Sequence, residues 1–264
     1  MLNSEKIAVR NGPAQTVYRG GRGEPLFWLH GLQRPQADDP VLNALAEHFE
    51  VFAPVAPGYD DLTEIDEIRD VHDLALQYDG LMQALGLNGV TVGGHSLGAM
   101  VAAELAAHVT ARAKRLVLAS PLGLWNDAYP VADLIARPVP EIDELLWAGA
   151  GHRPDIRAEE EAADPAVRVE RLVTLASQLT TFAKFTWPIP DRGLRRRLPR
   201  ITAPTLVMFG ADDAFVPARY AEDFVALLEH GRKRVRPGGH MLPYEHPAGF
   251  AAEVAEFARV PTYA

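Results

Sequence analysis

Val90-Thr91-Val92-Gly93-Gly94-His95-Ser96-Leu97-Gly98 decides how this chain is read, because an apolar strand-like run passes directly into Gly-His-Ser-Leu-Gly and then into an alanine-rich stretch, Leu97 to His108. The residue order predicts a strand that turns sharply into a helix with a serine at the turn. Gly94 tolerates close approach of backbones, Gly98 removes a side chain that would strike the neighbouring strand, and Ser96 is held with its hydroxyl presented. Read this way, Ser96 is an activated nucleophile.

Composition limits what such a nucleophile could serve. The chain has 264 residues, enough for one large domain or a domain with an insertion. It contains no cysteine, which removes disulfides, thiolate metal sites and cysteine nucleophiles from consideration and fits a reducing compartment. Met1 to Arg10 lacks the apolar core of a signal peptide, and no run of about 18 apolar residues occurs, so the expectation is a cytoplasmic protein without membrane insertion. The net charge of -9 speaks against nucleic acid as a partner, since phosphate recognition needs a basic surface. The one basic run, Arg195-Arg196-Arg197, reads as a solvated helix end.

Working outward from Ser96, two short strands are expected at Lys6 to Arg10 and Ala14 to Arg19, joined through Asn11-Gly12 as an antiparallel sheet edge. Strands follow at Leu26 to Leu29 and Val51 to Pro54, with a helix near Pro40 to His48 between them. From Val71 the apolar positions Leu74, Ala75, Tyr78, Leu81, Met82 and Leu85 keep the helical period, and Gly86 stands at the C-terminal cap. Strands Val90 to Gly93 and Arg115 to Ala119 are largely apolar, as expected of parallel strands covered on both faces. The rhythm breaks between Leu124 and Pro199, where prolines, an acidic cluster at Glu159, Glu160 and Glu161, and a helical segment from Val167 to Phe185 replace strands. It resumes with Thr205 to Phe209, a helix Pro217 to Glu229, Arg232 to Arg236 and a final amphipathic helix Pro247 to Ala258. The expected fold is α/β: a mostly parallel, doubly wound sheet of about eight strands. Residues 1–123 and 200–264 form its core, and a helical cap, 124–199, is inserted after the sixth strand.

A serine hydroxyl needs a base to take its proton, usually a histidine oriented by a carboxylate. Gly210-Ala211-Asp212-Asp213 and Gly238-Gly239-His240 follow strands at the same rim of the sheet, giving the chain order Ser, Asp, His. With these residues in view the chain resembles a capped α/β-hydrolase over nearly its whole length, from His30-Gly31 to the Pro237–Pro247 loop. The resemblance implies Ser96 as nucleophile, His240 as general base and Asp213 as orienting acid, because the family's Gly-x-x-Asp loop places the acid three residues after the glycine. Asp212 is the alternative, and Asp127 stands where some relatives carry the acid.

An oxyanion hole needs two preorganised N–H donors. Leu97 offers one at a helix N-terminus, and His30-Gly31-Leu32-Gln33 resembles the family's His-Gly-x turn, which implies the amide of Leu32 as the second. His30 and His95 are expected to orient loops by hydrogen bonds, whereas His48, His72, His108, His152, His230 and His246 carry no pattern. Asp60, Asp61, Glu64, Asp66, Glu67, Asp70 and Asp73 fit no calcium loop and read as a solvated face, so no metal is expected. Asp60 and Asp61 depart from the small residue and serine that relatives carry after Pro57-Gly58-Tyr59.

Aromatic residues fall in the insertion, with Trp125 and Trp147 as pocket candidates. The expected activity is hydrolysis of small to medium apolar carboxylic esters or lactones through an acyl-enzyme, with water as second substrate and no cofactor. One rival is carbon–carbon cleavage of a diketone-like acid by the same triad, clamped by a cap arginine such as Arg137 or Arg153. Another is a ligand-binding receptor that keeps the fold and hydrolyses weakly.

Overall fold

A computed structural model describes residues 2–10, 12–149 and 164–260. Its eight strands are β1 (Asn3–Ile7), β2 (Gln15–Gly21), β3 (Pro25–Leu29), β4 (Glu50–Pro54), β5 (Val90–His95), β6 (Ala113–Ala119), β7 (Thr205–Gly210) and β8 (Gly231–Arg236), in one sheet of order β1-β2-β4-β3-β5-β6-β7-β8. β2 runs antiparallel to both β1 and β4, while β4, β3, β5, β6, β7 and β8 are mutually parallel.

Period-two alternation explains why the central strands read as unbroken apolar runs. Phe27 and Leu29, Leu116 and Leu118, and Val207 and Phe209 face one layer of helices, whereas Leu26 and Trp28, Val117 and Ala119, and Leu206 and Met208 face the other. On the first side lie α2 (Val71–Ala84) and α3 (Leu97–His108); on the second lie α1 (Pro40–Ala46) and α8 (Pro247–Arg259). Every residue of α3 from Leu97 to Ala107 is buried, which its alanine content allows: small side chains let the sheet, α2 and later segments approach the helix closely.

The first strand differs from its expected position. The sheet begins at Asn3–Ile7, not Lys6–Arg10, and pairs Asn3 with Arg19 and Ile7 with Gln15. This edge strand is exposed along most of its length, so it carries no apolar alternation to mark it. Val9, inside the expected range, is buried against the α2 glycine Gly80 instead. Asn11 of the expected turn lies outside the described residues.

Between β6 and β7 the described chain holds two helices, α4 (Val139–Leu146) and α5 (Pro165–Thr186), two short 3-10 turns, and no strand. The α5 helix matches the helical segment expected there, whereas α4 was not anticipated. Asp164 caps α5 through Ala166 N–H, and Pro165 occupies its first turn, a common start signal. The last turns of α5 bury Thr181, Phe182 and Phe185, while Val169, Leu172 and Val173 near its start are exposed. Glu159, Glu160, Glu161, His152 and Arg153 lie outside the described residues. α6 (Tyr220–Leu227) follows β7, and α7 (Leu242–Glu245) precedes α8. No helix among the described residues is long and apolar enough to cross a membrane.

Candidate active site

Ser96 sits between β5 and α3 with φ 58° and ψ -119°, a left-handed conformation that a non-glycine residue holds only when its surroundings enforce it. Those surroundings are backbone. A Cβ at Gly98 would lie 2.2 Å from Leu29 O and 2.4 Å from His30 O, and one at Gly94 would lie 2.6 Å from Gly98 C, so only glycine fits on either side. Gly31 is packed just as closely, its hypothetical Cβ 2.8 Å from Ser96 Cβ. The loop after β3 therefore lies directly on the serine turn.

The hydroxyl faces His240. Ser96 Oγ lies 2.8 Å from His240 Nε2, and His240 Nδ1 lies 2.9 Å from Asp213 Oδ2. All three residues are buried. Asp213 is fixed by its own loop: Oδ1 accepts the N–H groups of Phe215 at 3.0 Å and Val216 at 2.7 Å, leaving Oδ2 for the imidazole. Asp212 is exposed, and its backbone N–H donates to Gly238 O at 2.9 Å. The carboxylate brought to His240 is thus Asp213. Asp127 is engaged elsewhere, accepting Trp125 Nε1–H at 2.7 Å. The acid and histidine loops are locked together at Gly210, where a Cβ would lie 2.2 Å from both Gly238 O and Gly239 O. Chemically, a carboxylate holding Nδ1–H leaves the Nε2 lone pair to accept the serine proton.

Two further histidines brace this arrangement, as their expected loop-orienting roles require. His95 donates from Nε2 to the carbonyl oxygen of His240 at 2.8 Å, with the two rings 5.0 Å apart. Burial, reinforced by the neighbouring His240, pushes its pKa down to about 3, so it stays neutral. His30 donates from Nδ1 to Gly31 O at 2.8 Å and accepts Ala56 N–H at Nε2 at 2.8 Å; burial lowers its pKa to about 4. Gly31 O also accepts the Tyr59 hydroxyl at 2.9 Å. The backbone of the His30-Gly31-Leu32 turn is therefore held from two sides. Leu97 opens α3, where its N–H has no carbonyl one turn earlier within the helix.

Several residues at the site had no clear signal in the sequence. Phe215 sets its ring edge-on to His240 at 4.8 Å, and Phe182 of α5 approaches Phe215 at 6.3 Å. Both line a narrow cleft with Leu122, Val131, Leu134 and Ile135. Trp147 is buried in the main core cluster, and Trp125 is packed against it while bonded to Asp127; neither lines that cleft. Glu245 bridges the histidine loop and the β6–β7 segment, accepting Gly239 N–H and Ala148 N–H at 2.8 Å each. Thr181 of α5 donates to Gly58 O at 3.0 Å, and Met241 N–H to Leu146 O at 2.9 Å.

The acidic run is mostly structural. Asp60 accepts Arg34 Nε–H at 2.7 Å and Thr16 Oγ–H at 3.0 Å, tying the loop after β3 to the sheet edge. Asp61 and Asp70 cap the Leu62–Ile65 turn and α2 through Thr63 N–H at 2.9 Å and His72 N–H at 2.8 Å. Within the basic run Arg195 and Arg196 are exposed as expected, but Arg197 is not a solvated end. It grips the buried Glu104 with two bonds of 2.6 and 2.7 Å. A carboxylate buried mid-helix required that partner.

Comparison with known proteins agrees with the fold. The chain is 27% identical over 244 residues to the dihydrolipoyllysine-residue acetyltransferase component of the acetoin cleaving system of Cupriavidus necator, covering 89% of this chain but 63% of that protein. It therefore spans less than two thirds of that relative's length. It is 26% identical over 274 residues to a 2-hydroxy-6-oxo-6-phenylhexa-2,4-dienoate hydrolase of Burkholderia cepacia, covering 90% of this chain and 88% of the relative. Against the pimeloyl-[acyl-carrier protein] methyl ester esterase of Vibrio cholerae the identity is 25% over 252 residues, covering 90% and 95%. Among solved structures, a thermophilic esterase from Thermogutta terrifontis superposes with a TM-score of 0.75 at 22% identity over 97% of this chain and 98% of that one. Residues 20–253 match the family described as the alpha/beta hydrolase family, and the chain belongs to it.

Proposed function

We propose that the protein is a serine hydrolase of carboxylic esters or lactones with small to medium apolar groups. The observation that carries the reading is the unbroken chain Ser96 Oγ to His240 Nε2 to Asp213 Oδ2, at 2.8 and 2.9 Å, with Ser96 on a left-handed turn. In this reading Ser96 Oγ attacks the substrate carbonyl carbon as its proton passes to His240 Nε2. The tetrahedral oxyanion is held by the N–H groups of Leu97 and Leu32. Collapse breaks the carbon–oxygen bond, and His240 returns the proton to the departing alkoxide. Water then attacks the acyl-enzyme, giving its proton to His240; the acid is released, and Ser96 recovers its hydrogen. No step calls for a cofactor.

The segment from about Leu124 to Pro199 serves as the cap in this proposal. Support comes from its contacts with the loops around the triad, at Gly58, Phe215, Gly239 and Met241. Such a cover excludes water from the acylation step and gives the pocket an apolar wall.

Carbon–carbon hydrolysis is the second reading, favoured by the similarity to the B. cepacia dienoate hydrolase. It needs a cation for the substrate carboxylate. Arg137, one expected clamp, is half-exposed and paired with Glu141 at 3.0 Å. The ester reading draws on the similarity to the V. cholerae esterase and needs no clamp. The test is a panel of p-nitrophenyl esters and aliphatic lactones run beside a 2-hydroxy-6-oxo-dienoate. Turnover of the esters abolished by Ser96→Ala supports the proposal. Turnover of the dienoate alone overturns the substrate class, and absence of any turnover overturns the enzyme reading in favour of a receptor.

A further inference from the structure

We propose that His72, Glu104 and His108 form a binding site for a divalent transition-metal ion such as Zn2+, linking the start of α2 to the end of α3. His72 Nδ1 and His108 Nε2 lie 3.1 Å apart, and each faces Glu104 Oε2, at 3.9 and 3.8 Å. The point equidistant from the three atoms lies about 2.1 Å from each, within the range of zinc–nitrogen and zinc–carboxylate bonds. The rings are nearly perpendicular, at 88°, so two nitrogens converge on one point without the rings stacking.

The donor set selects the class of ion. Two imidazoles and one carboxylate suit zinc, nickel or copper, whereas magnesium and calcium prefer oxygen donors alone. Glu104 is fully buried, and Arg197 fixes its plane through both oxygens. That second contact orients the ligand as outer-shell partners do, and its positive charge tempers the affinity. The histidine side chains are 33% and 35% exposed, which leaves an approach for the ion and for a water as fourth ligand.

Glu104 and His108 are one helical turn apart on α3, while His72 comes from another helix, so the sequence alone did not group them. Glu104 stands eight residues beyond Ser96, about 12 Å along the helix, so the ion is a staple for the layer behind the serine and takes no part in the proposed hydrolysis.

The test is titration of untagged, chelator-treated full-length protein with zinc chloride by calorimetry, alongside His72→Ala and His108→Ala. The expected result is one ion per wild-type chain, with at least tenfold weaker binding in either variant. A rise in melting temperature with zinc should occur only in the wild type, and magnesium should have no effect. Melting in chelator verifies that both variants fold. No saturable uptake by the wild type, or uptake unchanged in both folded variants, overturns the proposal.

Discussion

Replacing Asp213 by asparagine isolates what the carboxylate contributes beyond its shape. In the wild type Oδ1 accepts two backbone N–H groups, from Phe215 and Val216, and Oδ2 accepts the imidazole Nδ1–H. An asparagine must turn its carbonyl toward the two backbone donors, since its NH2 there would oppose donor to donor. The NH2 then faces His240 Nδ1 and demands a lone pair from it. That forces the imidazole proton onto Nε2, the atom 2.8 Å from Ser96 Oγ, where it can no longer accept the serine proton. The geometry survives while the tautomer is wrong. In serine proteases this error costs about 10⁴-fold in kcat, about 5.5 kcal/mol of transition-state stabilisation, and a similar loss is expected here. Asp212→Asn, on an exposed neighbour, should leave kcat within about twofold. The assay is steady-state hydrolysis of a p-nitrophenyl ester with circular dichroism to verify folding. A folded Asp213→Asn enzyme retaining more than about a tenth of wild-type kcat would refute the tautomer argument, as would a large loss confined to Asp212→Asn.

Other consequences concern stability. His30 and His95 have folded pKa values lowered to about 4 and about 3, so below the ordinary value near 6.5 the unfolded chain binds protons the native one refuses. Their contribution is fully present above pH 6.5 and is lost as pH falls toward 4. Together they should remove about 3–4 kcal/mol of unfolding free energy between pH 7 and pH 5, and urea midpoints that do not fall over that interval would contradict their neutral burial. At Gly98, alanine would drive its Cβ into Leu29 O and His30 O and should cost about 3 kcal/mol or more. Gly249→Ala in α8, where nothing lies within 4 Å, should be neutral or stabilise by up to about 1 kcal/mol; equal melting temperatures for the two variants would argue against the close approach at the serine turn. Arg197→Ala should cost about 3 kcal/mol by stranding the buried Glu104 carboxylate, seen as a fall of about 6–12 °C in melting temperature in chelator. A fall under 2 °C would mean Glu104 finds other compensation.

Local pattern makes the central sheet legible in the sequence. Leu26–Leu29, Val90–Gly93 and Thr205–Phe209 are buried on both faces, so apart from Thr91 and Thr205 their residues are apolar or glycine whichever way they point, and the runs stand out. β1 was misplaced because an exposed edge strand has no buried face to impose alternation. The serine, acid and histidine loops were visible through glycines that the structure needs at Gly94, Gly98 and Gly210 for backbone contact. What the sequence hid were contacts between distant segments: Glu245 bridging to Ala148, Asp60 holding Arg34, and Glu104 meeting Arg197, His72 and His108. Each looks like ordinary surface charge in the sequence; the fold buries Glu104 fully and Glu245 in part, and sets Asp60 against Arg34 at the surface. Phe215 was hidden for another reason, since a single aromatic after the acid becomes meaningful only when the His240 ring is set beside it.

The proposed hydrolysis requires that Ser96 be a nucleophile whose proton His240 takes. Incubation with a fluorophosphonate, followed by intact-mass and peptide mass spectrometry, tests it most directly. One phosphonyl adduct per chain on Ser96 is predicted, absent from Ser96→Ala and slowed by orders of magnitude in His240→Ala. An unlabelled wild type, or labelling at another residue that persists in Ser96→Ala, would contradict the claim.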